Sequence, residues 1–253
     1  MSIIPGVTKI LPMKIKNIRA FTLIELLIVI TIIAVLASIA LPAFSGIKER
    51  GDQTKDLSNG KQIALALRQF AVDHNAQYPN FAPAASYDVA SGALTTSNDA
   101  FWWLFPDGAE PGYLQSEQIF AVPGSAYTPK PPDNALDAPT DGARVKTLAL
   151  GENSYEYVSG LTDTSNPTFP IIADGFIPGQ PGKYDQNKSN KGGVWAAKKA
   201  IVIFCDASGQ IVKVDPADQI VKRTDSTGAK VNMFSAAADW FDATSNLVLD
   251  PAN

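Results

Sequence analysis

The sequence predicts an α+β protein: a long, kinked N-terminal helix, first transmembrane and then amphipathic, packed on a small antiparallel sheet. Three observations carry that reading. The 22 residues Leu26 to Ile47 contain no charge, enough for a helix to cross a hydrocarbon core of roughly 30 Å. Beyond them, apolar residues recur at spacings of three and four as far as Ala71. The C-terminal half instead carries short runs that alternate, or that are β-branched, bounded by turn residues.

Taken in order, residues 1–20 hold Lys9, Lys14, Lys16 and Arg19 and no acid. Basic residues ahead of an apolar run hold that end in the cytoplasm and send the remainder outward. Met13 offers a second start that keeps the last three of these charges. Between Arg19 and Lys48 the one charge is Glu25. A carboxylate at this place costs about 2.5–3.5 kcal/mol on insertion scales, so it calls for a partner and a role, unless it snorkels to the membrane edge. Pro42 interrupts the run, removing a helix hydrogen bond and favouring a kink. Further on, Leu57, Gly60, Ala64, Leu67 and Ala71, widened by Ile63 and Phe70, form one apolar stripe. Lys55, Asp56, Asn59, Lys61, Gln62, Arg68, Gln69 and Asp73 are assigned to the opposite, polar side. A helix from Phe21 to His74 extends on the order of 80 Å.

Residues 75–143 read as irregular, with a proline-rich loop from Pro129 to Gly142. The run Phe101-Trp102-Trp103-Leu104-Phe105 is either core packed against the long helix or a glycan platform, and core is the favoured reading. Ser154–Val158 reads as a half-buried strand, 169–175 as a strand ending at a turn, and 200–214 as a hairpin. Val231 to Phe241 reads as a closing helix with Met233, Phe234, Ala237, Trp240 and Phe241 on its apolar side.

Composition excludes several functions. The formal charge is −4. Without the four basic residues of 1–20, 17 basic face 25 acidic residues, a net charge of −8. No basic stripe follows, which argues against nucleic-acid binding. The lone Cys205 forms no internal disulfide, and its apolar neighbours mark a buried, inert thiol. His74 is the one histidine, and at a helix end it reads as a capping or surface residue rather than a metal ligand. No phosphate loop, paired-histidine motif or nucleophile elbow is present. The reading is of a non-enzyme.

Ala20-Phe21-Thr22-Leu23-Ile24-Glu25-Leu26-Leu27-Ile28-Val29-Ile30 behind a basic leader resembles the class III signal of type IV pilins and type II secretion pseudopilins. The resemblance implies a pilin-like fold, cleavage by prepilin peptidase between Ala20 and Phe21, and N-methylation of Phe21. It also implies assembly into a helical filament through Phe21 and Glu25, the new amine at Phe21 being the partner of the Glu25 carboxylate, either one turn away in the same helix or, as family models place it, in a neighbouring subunit. Family members usually have Gly before the cut; Ala20 is a small substitute. The implied organisation is a removed cytoplasmic leader at 1–20, a transmembrane half-helix at 21–44 kinked at Pro42, an amphipathic half at 45–76, and an exported domain at 77–253. Implied partners are prepilin peptidase, identical and related pseudopilin subunits, and an inner-membrane assembly platform. The implied role is a structural subunit of a type II secretion-type filament, single-pass in the cytoplasmic membrane. The runner-up is a type IV pilin or minor pilin for adhesion, motility or DNA uptake. A third reading treats Ser38-Ile39-Ala40 as an ordinary signal-peptide site, releasing a glycan-binding or hydrolytic domain after Ala40.

Looser similarity to the larger pseudopilin-like proteins extends through 112–125, 156–161, the turn at Gly175 and the 200–214 hairpin. There the family's Asp-Gly turn is replaced by Asp206-Ala207-Ser208. Major pseudopilins bind calcium in a C-terminal loop. The matching oxygens here are Asp174, Asp185, Asp206, Asp215 and Asp218, but their spacing is that of no known calcium loop. No metal ligand and no cofactor is therefore assigned, with calcium kept as the lesser alternative.

Overall fold

A computed structural model describes residues 21–80, 94–106, 112–136, 146–242 and 245–252. Ala20 and the rest of the leader lie outside the described residues, as does the end of the proline-rich loop. The chain divides into two compact units, Met1–Lys48 and Glu49–Asn253.

Helix α1 (Leu23–Asp73) runs unbroken through Pro42 and contributes to both units. Thr22 starts it: its hydroxyl accepts from the Glu25 N–H at 3.2 Å, and the Glu25 carboxylate accepts from the Thr22 N–H at 2.9 Å. This reciprocal capping box satisfies orphan donors at the helix start.

In the larger unit the second part of α1 lies on a five-stranded antiparallel sheet of order β4-β3-β2-β1-β7. Its strands are β1 (Tyr155–Val158), β2 (Pro170–Asp174), β3 (Lys199–Phe204), β4 (Gly209–Lys213) and β7 (Val248–Leu249). β5 (Lys222–Thr224) and β6 (Lys230–Asn232) form a separate two-stranded ribbon. The interior strand β3 is rich in β-branched residues and is buried from Ala200 to Phe204. β4 closes one edge with exposed Gln210, Ile211 and Lys213, the charged kind of edge that resists further pairing.

Ile63, Ala64, Leu67, Phe70 and Ala71 are buried, as their spacing predicts. Two residues are corrected. Asp56 and Asn59, placed on the polar side, are buried with Gln53. Residues 53, 56, 60, 63, 67 and 70 follow one helical line, and that line faces the sheet. Gly60 lets the layers approach, since a Cβ there would sit 2.7 Å from Cγ1 of Ile203.

The strand at 155–158 is buried along its whole length, Glu156 included, and is not half-buried. Tyr155 meets α1 through Asp56, Tyr157 packs on Phe101, and Glu156, on the other face, accepts from the Phe176 N–H. The closing helix is also corrected. Lys230–Asn232 is a strand, and turns follow to Phe241. Asn232 and Ser235 side chains bind nearby backbone N–H groups, the local competition that diverts Asn and Ser from helices. Met233, Phe234 and Trp240 are nevertheless buried, while Ala237 is exposed.

The aromatic run enters the core through α2 (Ser97–Trp102), which Thr96 and Asp99 cap. Phe101 packs against Phe120 and Tyr157 at 5.2 and 5.5 Å. Trp102 is buried, and Trp103 meets it edge-on at 5.2 Å. Trp102 thus follows the core reading, while Trp103 is half-buried and packs against the core.

Candidate functional site: the N-terminal helix and the buried carboxylates

From Leu23 to Ile47 the large apolar side chains of α1 are exposed on every side. Leu23–Leu41, 19 residues, is long and apolar enough to cross a membrane, and none of it is buried. Each such side chain gains about 1.5–3 kcal/mol on leaving water, so this segment requires lipid or neighbouring helices. Phe21 is 78% exposed at its tip. Glu25 accepts from both the N–H and the hydroxyl of Thr22. The structure therefore places Phe21 and Glu25 together at the helix start, with the acid already engaged by its own helix. Of Pro42 only the backbone is described, and the helix does not stop there.

Acids recur inside the larger unit. The Asp56 Oδ1 accepts from the Tyr155 hydroxyl at 2.7 Å. The Asp174 Oδ1 accepts from the Tyr184 hydroxyl at 2.7 Å and the Ile201 N–H at 3.0 Å. The Glu156 Oε1 accepts from the Phe176 N–H at 2.9 Å. The second oxygen of each carboxylate lacks a hydrogen bond of good geometry, as does the Trp195 indole N–H. Burial pushes Asp174 up to about 7 against the hydrogen bonds that favour its charged form. It raises Asp56 as well, with the Asp174 charge adding to the effect. Burial also lifts Glu156, with Asp250 next. Desolvation of the charged form is the dominant cause in all three.

The remaining candidate oxygens are turned to local work. Asp185 accepts from Asn187 and Asn190, and Asp206 from Ser208. Asp215 and Asp218 share Lys222 at 3.0 and 2.6 Å. Among the described residues, the group that brings three carboxylates together is another one, Glu117, Asp133 and Glu152. Sequence reasoning missed it because its members are spread over irregular segments with no motif spacing. Cys205 is buried, and desolvation pushes its thiol up to about 12, as expected of an inert thiol. His74 bonds the Phe70 carbonyl at 2.8 Å and stacks on the Phe70 ring at 3.7 Å, the capping role expected of it.

A bare apolar helix with an acid in its first turn, continued onto a small antiparallel sheet, defines a pilin-like subunit. The model of the prokaryotic N-terminal methylation motif matches residues 15–41. Type II secretion system core protein G of Vibrio cholerae is 35% identical over 144 residues, 56% of this chain and 86% of that protein. The chain belongs to this pseudopilin family. The same protein of Pectobacterium carotovorum is 40% identical over 62 residues, 24% of this chain and 39% of its own length. The chain thus spans about two fifths of that relative. A type IV major pilin of Myxococcus xanthus is 41% identical over 64 residues, 25% of this chain and 29% of its own. No solved structure matches the chain.

Proposed function

We propose that the chain is a structural, non-enzymatic subunit of a type II secretion filament. Prepilin peptidase removes residues 1–20, and the methylated Phe21 becomes the first residue. The leader's basic residues keep that end in the cytoplasm, and the 77–253 domain is exported. The helix anchors the subunit in the cytoplasmic membrane until an assembly platform passes it into the filament. There, identical and related pseudopilins cover the side chains that lipid covered before.

The observation that carries this reading is the uncovered helix Leu23–Leu41, led by Glu25, in a chain of this family. Glu25 meets the amine that cleavage creates at Phe21. Two opposite charges in low dielectric attract strongly, but desolvation offsets much of the gain, so the pair sets register more than it adds stability. The match to a type IV pilin covers too little of that protein to favour the pilus reading.

The test is assembly. The chain is produced with a prepilin peptidase and a type II assembly platform, and sheared filaments are collected. The account expects the wild type in the sheared fraction and Glu25→Ala in the membrane alone. Filaments from Glu25→Ala at wild-type yield contradict it.

A further inference from the structure

We propose that Glu117, Asp133 and Glu152 form a calcium site in the segment ahead of β1. One carboxylate oxygen from each lies within 4.8 Å of the other two. Two oxygens that each sit about 2.4 Å from one calcium ion lie at most about 4.8 Å apart, so the three meet the separation that a shared coordination shell requires. The donors are all oxygen, the choice of hard cations, and imidazole or thiolate ligands for zinc are missing from the group.

An independent observation points to a ligand. Glu117 is fully buried, yet its Oε2 has no hydrogen-bond partner. Its other oxygen is held by the Leu148 N–H at 2.6 Å, and its own N–H donates to Asn134 Oδ1 at 2.8 Å. The residue is held at its backbone and at one carboxylate oxygen, and its carboxylate belongs to a group shared with two more acids. A buried acceptor without a donor is rare unless an ion or water completes it, and here two like charges make a cation the fitting completion.

The surroundings are built to hold this arrangement. Glu152 accepts from the Asp133 N–H at 3.3 Å and the Ala149 N–H at 2.7 Å. Gln118 donates to the Pro132 carbonyl at 2.6 Å. The segments at 117–118, 132–134 and 148–152 are therefore already tied to one another. Asp133 is exposed and Glu152 half-buried, which opens the site to solvent for the remaining ligands. Calcium here clamps the chain between α2 and the sheet. The site lies ahead of every strand, apart from the acids of the C-terminal half.

The experiment uses the full chain, purified in detergent and stripped with a chelator. Calcium chloride is titrated in by calorimetry, with magnesium chloride in parallel and thermal unfolding as a second readout. The expected result is one ion per chain, with a dissociation constant of about 10⁻⁴–10⁻³ M, the range of extracellular modules. Asp133→Asn and Glu152→Gln each weaken binding at least about tenfold, while Asp206→Asn leaves it unchanged. Glu117→Gln abolishes it if that variant folds; the exposed Asp133 carries the test if it does not. Three outcomes overturn the site: no saturable calcium binding, a magnesium response equal to calcium's, or unchanged affinity in both Asp133→Asn and Glu152→Gln. Binding is read on purified protein, so the result is independent of filament assembly.

Discussion

Gly60 has no side chain because Ile203 of β3 occupies the place where one would go. Gly60→Ala is expected to destabilise the domain by about 1–3 kcal/mol, the usual cost of overpacking, measured by denaturant unfolding. An unchanged midpoint would mean that the helix and sheet are less closely packed than 2.7 Å implies. The hairpin turn offers the opposite case. Ala207 sits at φ 61°, a left-handed conformation that glycine adopts without the Cβ clash. Alanine therefore stands at a position whose conformation suits glycine better. Ala207→Gly should stabilise by about 0.5–1 kcal/mol, read as a raised unfolding midpoint. At this scale the sequence misleads where polar residues are inside. Asp56 reads as solvent-facing until Tyr155, 99 positions away, supplies its donor.

Elements set by neighbours in sequence were legible; those set by distant partners were not. The β3–β4 hairpin announces itself through two apolar runs around one turn. The two-residue β7 pairs with β1 from about ninety positions away, and nothing local marks it. The spacing from Met233 to Phe241 is helical, but side-chain bonds at Asn232 and Ser235 take the backbone into turns. For α1, the capping box separates two roles of Glu25. Glutamine also caps at this position, so Glu25→Gln retains the helix start and removes only the charge. If charge pairing with the Phe21 amine drives assembly, Glu25→Gln fails as fully as Glu25→Ala in the sheared-filament assay. Normal filaments from Glu25→Gln would assign the acid to capping alone. The apolar run and its acid were legible, whereas the carboxylate group at 117, 133 and 152 exists only in the folded chain.

The molecule as a whole carries buried acids that oppose its stability at neutral pH. Asp174 holds its proton up to about 7 when folded, against an ordinary value of 3.8. The folded state therefore binds more protons than the unfolded chain between those values, and stability falls as pH rises through that window. Asp56 and Glu156 act in the same direction. Surface acids such as Asp185 and Asp206, held below 3.8 by local donors, act only at more acid pH. Thermal unfolding of the detergent-purified chain should thus occur at higher temperature at pH 5 than at pH 7.5, and Asp174→Asn should shrink that difference. A wild-type midpoint flat across this range would contradict the burial argument.

The central claim, that the exposed helix belongs to a processed filament subunit, is tested most directly at its first residue. Mass spectrometry of the N-terminal peptide of membrane-extracted protein reads it. The mature chain is expected to begin at N-methylated Phe21. A soluble chain beginning at Leu41 would contradict it.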